Sequence, residues 1–263
     1  MWQTGRLLGS GRANDVYEID EAWVLRRDRH GHGDAAAEGA VMEHVRGHGY
    51  PVPRVRWAES TPSDLVMERL YGPTMLEACL AGSLGPDEAG AILAGLLRTL
   101  HAVPPLGAGA RVLHLDLHPE NVILTADGPR VIDWSNSEAG EPGLDWGVSA
   151  MILAQVAVAD DPLATPARTM LTALLADRSH LTEDGLAQAR RRRAANVTMS
   201  RHEIELLGAA EDLIRSVVSG VPTGLVDSLP RIMSGSGQRP RARGGAAEGE
   251  VEDAGGEQPG AVG

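Results

Sequence analysis

Asp116, Asn121 and Asp133 form the most informative group of polar residues in the chain. Two largely apolar segments, 122–124 and 130–132, flank five turn-forming residues, a pattern that predicts an antiparallel hairpin. Asn121 would then enter the first strand as Asp133 leaves the second, which places an amide oxygen beside a carboxylate. Such a pair suits Mg²⁺, which binds a few protein oxygens and keeps other positions for water and phosphate. Asp116 lies in the loop that leads to the same end, where its carboxylate could accept a proton from an attacking hydroxyl.

A second pair of charges is predicted nearer the N-terminus. A helix is expected from Asp34 to His48, and its Glu38 shares a face with the apolar residues three, four and seven positions later. An inward carboxylate is costly unless it is paired, so the preceding strand should supply a partner. Arg26 is the first choice. The alternative is that Arg26 faces solvent and Arg27 points inward.

The sequence His114-Leu-Asp116-Leu-His118-Pro-Glu-Asn121-Val-Ile, followed by Ile132-Asp133-Trp134, resembles the aminoglycoside phosphotransferase family of the protein-kinase-like superfamily. Protein kinases usually have Arg or Lys at position 115 and Phe at position 134, where this chain has Leu and Trp. The resemblance covers about residues 5–220. It implies that Asp116 is the catalytic base, that Asn121 and Asp133 hold Mg²⁺, and that His114 braces the loop.

The same resemblance implies a site for ATP or GTP in the N-terminal part of the chain. A glycine-containing turn would cover the phosphates, an Arg–Glu ion pair would replace the usual Lys–Glu pair, and a hinge segment would bind adenine. The nucleotide-binding residues implied in this way are Gly9, Ser10, Gly11, Arg26, Glu38, Glu68 and Leu70. Asp145 would buttress the catalytic loop.

The order of predicted elements indicates an α+β fold with two lobes, as in protein-kinase-like proteins. Short strands dominate the start of the chain, with two more expected at 54–58 and 64–70, and helical periodicity dominates from Leu76 onwards. We therefore expect a β-rich nucleotide-binding N-lobe with one helix and a mainly helical catalytic and substrate C-lobe, followed by a disordered tail with nine Gly and no Leu, Ile or aromatic residue. The boundaries are 1–70, 71–233 and 234–263. Helices are predicted at 86–101, 146–159, 162–177, 183–197 and 201–219.

The composition excludes several classes of protein. The 263 residues include 24 basic and 36 acidic side chains, a formal net charge of −12, which argues against nucleic-acid binding and suits a cationic or metal-complexed ligand. A single cysteine excludes a disulfide within the chain and fits a reducing cytoplasm. We see no signal peptide or membrane span, so we expect a cytoplasmic protein without a membrane partner.

These observations favour a phosphotransferase that moves the γ-phosphoryl group of ATP or GTP to a hydroxyl of a small molecule. A cationic acceptor such as an aminoglycoside, or another antibiotic, is a candidate because acidic residues follow the catalytic motif, although acidic helix faces also serve solubility alone. The acids are Glu138, Glu141, Asp160, Asp161, Glu203, Glu205, Glu211 and Asp212. The alternative function is an inactive pseudokinase that acts as a nucleotide-binding regulatory module, which arginine at position 26 suggests.

Overall fold

The computed structural model describes residues 5–11, 14–29, 34–107 and 109–220. The predicted tail at 234–263 and the last part of the predicted C-lobe lie outside the described residues. The described chain forms an N-terminal antiparallel sheet with one long helix, followed by a mainly helical region. This arrangement confirms the predicted two-lobed α+β fold, whereas the lobe boundary at residue 70 stays a prediction.

The N-terminal sheet pairs four strands in chain order, each antiparallel to the next. Its register places Arg26 opposite Val16 on one side and Leu65 on the other, and directly opposed residues share a face of a sheet. On that face a Cβ added to Gly39 would lie 3.3 Å from Leu65 Cδ1, so the helix packs here. Arg26 therefore points towards the helix. The strands are β1 (Leu7–Ser10), β2 (Asn14–Glu18), β3 (Trp23–Asp28) and β4 (Asp64–Glu68).

Helix α1, Ala35–Gly47, forms within one residue of the predicted bounds. The Asp34 carboxylate accepts a hydrogen bond of 2.9 Å from the Ala37 N–H, which satisfies one of the free donors of the first turn. Glu38 is buried on the same face as the apolar residues Met42 and Val45, as the periodicity predicts. The carboxylate is thus carried into the interior by the helix itself.

The strand predicted at residues 54–58 is wrong for most of its length. Only Val55 bridges to Met67 of β4, and Trp57–Glu59 turn into a short 3₁₀ helix. The hydroxyl of Ser60 is the physical reason, because it donates to the Arg56 carbonyl at 2.9 Å and accepts from the Val66 N–H at 3.1 Å. Serine often competes with strand pairing in this way.

Between the sheet and the region that follows, the backbone at Gly72 passes close to the backbone at Leu124, a contact termed the crossing at Gly72. Gly72 has φ +147°, and a Cβ there would lie 2.0 Å from the Leu124 carbonyl oxygen, so only glycine fits. The next residues pair with a hairpin of the helical region, since Leu124 N–H donates to the Pro73 carbonyl at 2.9 Å and Thr74 bridges to Ile123. The segment that follows the sheet is therefore held to this hairpin through backbone contacts.

Seven helices and four short strands make up the rest of the described chain. The helix predicted at 201–219 is interrupted at Leu206, and none of the helices among the described residues is long and apolar enough to cross a membrane. The strands are β5 (Arg111–Leu113), β6 (Val122–Thr125), β7 (Gly128–Val131) and β8 (Glu138–Gly140). The helices are α2 (Met75–Leu80), α3 (Pro86–Ala102), α4 (Pro142–Val158), α5 (Ala164–Leu174), α6 (Glu183–Ala194), α7 (Arg201–Glu205) and α8 (Leu207–Ser219).

Candidate active site

The β6–β7 hairpin brings Asn121 and Asp133 to one end, as its sequence predicts. Val122 pairs with Val131, and the Ile132 N–H donates to the Asn121 carbonyl at 3.0 Å. Asn121 therefore precedes the first strand at the point where Asp133 follows the second.

The side chains at this end leave oxygen atoms suited to a divalent cation. Asn121 Nδ2 donates to the Asp116 carbonyl at 2.8 Å, so its Oδ1 faces away from that contact and accepts no hydrogen bond from the described residues. Asp133 has φ +60°, and its Oδ1 accepts from the Ser135 hydroxyl at 2.8 Å. Amide and carboxylate oxygens are ligands that Mg²⁺ prefers, so these two residues fit the ion. Within the described ranges no three His, Cys, Asp or Glu side chains cluster around a metal position.

Asp116 lies beside this pair in a half-buried position. Its carboxylate side chain is 27% exposed, and its Oδ2 lies 3.4 Å from Asn121 Nδ2. Burial raises the pKa of Asp116 to about 6, and the negative charge of Asp133 acts in the same direction. A carboxylate with this pKa is ionised at neutral pH and is a better proton acceptor than an ordinary aspartate.

The Asp145 carboxylate binds the backbone of the loop that leads to Asp116. It is fully buried and accepts hydrogen bonds from the backbone N–H groups of His114 at 2.9 Å and Leu115 at 2.8 Å, with His101 Nε2 at 3.0 Å. Leu115 has φ +61°, a conformation that is uncommon for leucine. Burial acts to raise the pKa of Asp145, but the His101 and backbone hydrogen bonds outweigh it and hold the pKa below its ordinary value. Asp145 thus stays charged and fixes the turn that precedes Asp116.

His114 braces the loop with a neutral ring. Its Nε2 lies 3.0 Å from the Ile132 carbonyl oxygen, and its Nδ1 accepts from the Asp116 N–H at 3.3 Å. Burial lowers the pKa of His114, which agrees with a neutral imidazole that donates from one nitrogen and accepts at the other. The ring also packs edge-on against Trp134. The residue that directly follows β7 and the loop that precedes the hairpin are therefore both bound to this one side chain.

The predicted ion pair between Arg26 and Glu38 is formed. The Arg26 side chain is 11% exposed, and the alternative residue, Arg27, is bound instead to Asp64 at 2.7 Å. Burial raises the pKa of Glu38, and Arg26 opposes this effect. A second Arg26 nitrogen lies 3.4 Å from Asp133 Oδ1, so the arginine spans the distance between the helix and the hairpin.

The Arg26 guanidinium also carries an unsatisfied polar atom. Its Nε is buried and has no hydrogen-bond partner among the described residues. Buried donors are normally paired, so a free one beside the hairpin end is consistent with a polar ligand. A cavity of about 400 Å³ reaches the same place, and its lining includes Asn14, Arg26, Glu38 and Ser135.

The glycine-containing turn between β1 and β2 is braced on its own strands. Ser10 Oγ donates to Asp15 at 2.6 Å, and the Gly11 N–H donates to the Asn14 carbonyl at 2.8 Å. Arg29 contacts both the Gly11 carbonyl and the Asp15 carboxylate. The role of Gly9, Ser10 and Gly11 in covering phosphates stays a prediction.

The two residues named for the predicted hinge, Glu68 and Leu70, differ in the hydrogen bonding of their N–H groups. Glu68 ends β4, and its N–H and carboxylate are occupied by the Arg54 carbonyl at 2.8 Å and the Arg54 N–H at 3.1 Å. The Leu70 N–H has no hydrogen-bond partner among the described residues. The hinge role of both residues stays a prediction.

Sequence reasoning did not find His101, and it noted the run that contains Arg193 without placing that residue near the site. His101 lies 44 positions from the Asp145 that it contacts, and nothing in the local sequence links them. Arg193 lies within a run of four arginines that the sequence does show, and its positive charge acts to lower the pKa of Asp116. The direction in which each arginine side chain of this run points depends on the packing of α6, which the local sequence does not give.

The chain belongs to the phosphotransferase enzyme family APH, whose family model matches residues 4–111 and 86–183, more than half of the chain. No curated protein matches the sequence. Solved structures share the fold, among them a choline/ethanolamine kinase family protein from Mesorhizobium loti at 16% identity and a TM-score of 0.51, which covers 81% of this chain and 90% of that one. The GDP and kanamycin complex of APH(2")-IIia is 14% identical, with a TM-score of 0.50 and coverage of 83% and 92%. The chain is thus a member of a phosphotransferase family with the two-lobed protein-kinase-like fold.

Proposed function

We propose that the protein is a small-molecule kinase that transfers the γ-phosphoryl group of ATP or GTP to an alcohol group of its acceptor. The observation that carries this proposal is the convergence of Asp116, Asn121 and Asp133 at one end of the β6–β7 hairpin, facing the Arg26–Glu38 pair. Membership of the phosphotransferase family supports it. An inactive scaffold would have no physical need for all of these groups at once.

Asp116 acts as the general base of the reaction. It accepts the proton of the acceptor hydroxyl as the hydroxyl oxygen bonds to the γ-phosphorus. The bond between that phosphorus and the bridging oxygen breaks, and the nucleoside diphosphate leaves with the bonding electrons. The pKa of about 6 leaves Asp116 ionised at neutral pH, and the Asn121 amide orients it.

Asn121 and Asp133 hold Mg²⁺ in this proposal. The ion would supply positive charge to the phosphate oxygens, which is its usual contribution to phosphoryl transfer. The protein prepares the site because Asn121 Nδ2 is committed to Asp116, so that the amide oxygen is presented. The Ser135 hydroxyl fixes the Asp133 carboxylate in the same way.

Arg26 binds the phosphates of the nucleotide. The buried Glu38 carboxylate anchors one end of the guanidinium, and the forked shape of arginine leaves other donors for a phosphate. Gly9, Ser10 and Gly11 cover the phosphates, and the backbone at Glu68 and Leu70 binds the base, with the Leu70 N–H as the donor because the Glu68 N–H is bound to the Arg54 carbonyl.

The acceptor is a small hydroxyl compound, and the reaction takes place in the cytoplasm, where the nucleotide is available. An aminoglycoside or another antibiotic is one candidate because the structure of APH(2")-IIia that shares this fold holds GDP and kanamycin. Choline-like alcohols are another candidate, because the Mesorhizobium loti protein with this fold is described as a choline/ethanolamine kinase family protein. The fold alone does not select between these acceptors.

Transfer of labelled γ-phosphate tests the proposal directly. ATP and GTP are each incubated with Mg²⁺, the protein and a panel of hydroxyl compounds that includes aminoglycosides, macrolides, choline and hydroxy acids. A labelled product that is absent when Mg²⁺ is omitted supports a kinase. Nucleotide binding without any transfer would support the pseudokinase instead. If the protein neither binds nucleotide nor transfers phosphate, the proposed nucleotide site is refuted.

A further inference from the structure

Arg193 lies on α6, the helix whose Ala189 packs against the loop that leads to Asp116, and the proposed reaction gives it no role. Helix α6 packs very closely on α4, since a Cβ at Gly147 would lie 2.8 Å from the Gly185 carbonyl oxygen. One turn before Arg193, Ala189 is fully buried in a cluster with Leu115, the residue that precedes Asp116. Residues four apart share a helix face, so Arg193 continues the face that packs on the catalytic loop.

The guanidinium of Arg193 is held in place by a buried amide. Its Nε donates to Gln155 Oε1, and Gln155 is only 5% exposed. Gln155 Nε2 in turn donates to the Glu203 carbonyl at 2.8 Å. The positive charge is therefore fixed in orientation, and its electrostatic effect reaches the Asp116 carboxylate.

The acidic residues that would suit a cationic acceptor are largely engaged in ion pairs or helix caps. Glu138 pairs with Arg192 at 2.8 Å, and Glu211 pairs with Arg190 at 2.8 Å. Glu203 closes the capping box at the start of α7. Arginines thus compensate the acids of this region.

We propose that Arg193 binds an anionic group of the acceptor, so that the substrate is a hydroxyl compound bearing a carboxylate or a phosphate and not a polycation. This inference rests on the proposed function, because it places the acceptor hydroxyl at Asp116. A fixed guanidinium matches the two oxygens of a carboxylate or phosphate, and repels ammonium groups. In a chain of net charge −12, a fixed cation beside a catalytic aspartate offsets the long-range repulsion that an anionic substrate would meet.

The test compares acceptors that differ mainly in charge. Glycerate, glycerol phosphate, glycerol and aminopropanediol are each added to the full chain with Mg²⁺ and a non-hydrolysable ATP analogue, and the shift in Tm is measured. The variants are Arg193→Gln, the conservative Arg193→Lys, and Arg190→Gln as a control from the same arginine run. We expect the two anionic compounds to raise the Tm of the wild type, of Arg193→Lys and of Arg190→Gln, and to bind Arg193→Gln about tenfold more weakly.

Comparison of glycerate with glycerol phosphate shows whether Arg193 prefers a carboxylate or a phosphate. A shift from neither of them in the wild type, or an equal shift in Arg193→Gln, would overturn the assignment. So would a larger shift in the Tm of the wild type with aminopropanediol than with glycerate, although that result would leave the kinase function intact. The nucleotide analogue alone should stabilise all four proteins, and its failure to do so would point to the proposed function and not to Arg193.

Discussion

The Asp145 carboxylate accepts a hydrogen bond of 2.8 Å from the backbone N–H of Leu115, a leucine held at φ +61° directly before the proposed base. The same carboxylate accepts from the next N–H towards the N-terminus, at His114. Two adjacent backbone donors are thus fixed by one buried charge, which gives the turn its uncommon conformation. The position of Asp116 thus depends on a residue that lies thirty positions after Leu115 in the chain.

Replacing this carboxylate should therefore damage both the fold and the reaction. In Asp145→Asn an NH₂ group faces backbone donors, and we expect a loss of about 2–3 kcal/mol of unfolding free energy from charged, buried hydrogen bonds. Turnover should fall while the KM for nucleotide changes little. Denaturant unfolding and kinetics measure the two effects, with Asp160→Asn as an exposed control. Unchanged stability would contradict the bracing role.

The pH dependence should follow the ionisation of Asp116. Burial raises its pKa to about 6, so the base is protonated and inactive below that pH and ionised above it. We expect kcat/KM to fall about tenfold for each unit of pH below about 6 and to reach a plateau above about 7. Nucleotide binding measured over the same range serves as the control. Full activity at pH values near the ordinary pKa of aspartate would exclude Asp116 as the base.

The Arg26–Glu38 pair should matter more for stability than the neighbouring, more exposed pair between Arg27 and Asp64. Arg26→Gln leaves the buried Glu38 carboxylate without its partner, which costs about 3–5 kcal/mol. Arg27→Gln breaks the more exposed pair with Asp64 and should cost about 1 kcal/mol or less. Chemical denaturation of both variants makes the comparison, and only Arg26→Gln should also weaken nucleotide binding. Equal losses of stability would refute the importance of burial here.

The crossing at Gly72 gives a prediction that concerns the backbone alone. In Gly72→Ala the new methyl group would meet the Leu124 carbonyl in a backbone conformation that alanine rarely adopts. We expect a loss of about 1–3 kcal/mol and a lower Tm. Gly47→Ala is the matched control, because it lies at the end of α1 with no atom within 4 Å of the added Cβ. A Tm equal to that of the control would show that the crossing can widen without cost.

Local sequence patterns were sufficient to predict the β6–β7 hairpin with its Asn121 and Asp133, and the inward direction of Glu38. The β6–β7 hairpin follows from apolar strands around a turn, and its register places Asn121 beside the strand that leads to Asp133. The inward direction of Glu38 follows from helix periodicity, since the apolar stripe and the carboxylate lie on one segment. In each case the information lies within one short stretch of chain.

The remaining contacts could not be predicted because they join distant segments. The bond between His101 and Asp145 depends on how α3 lies against α4, and the direction of Arg193 depends on close glycine contacts between α4 and α6. The missing strand at residues 54–58 has a different cause, because the Ser60 hydroxyl competes with strand pairing. The periodicity of apolar residues and the propensities of single residues do not predict such contacts.

Comparison of the wild type with Asp116→Asn tests the central claim most directly. The substitution keeps the size of the side chain and removes the proton acceptor, so we expect a loss of about 10²–10⁴ in γ-phosphoryl transfer with nucleotide affinity unchanged. Asp127→Asn in the exposed β6–β7 turn is the control and should behave as the wild type. Transfer that persists at the wild-type rate in Asp116→Asn would contradict the account.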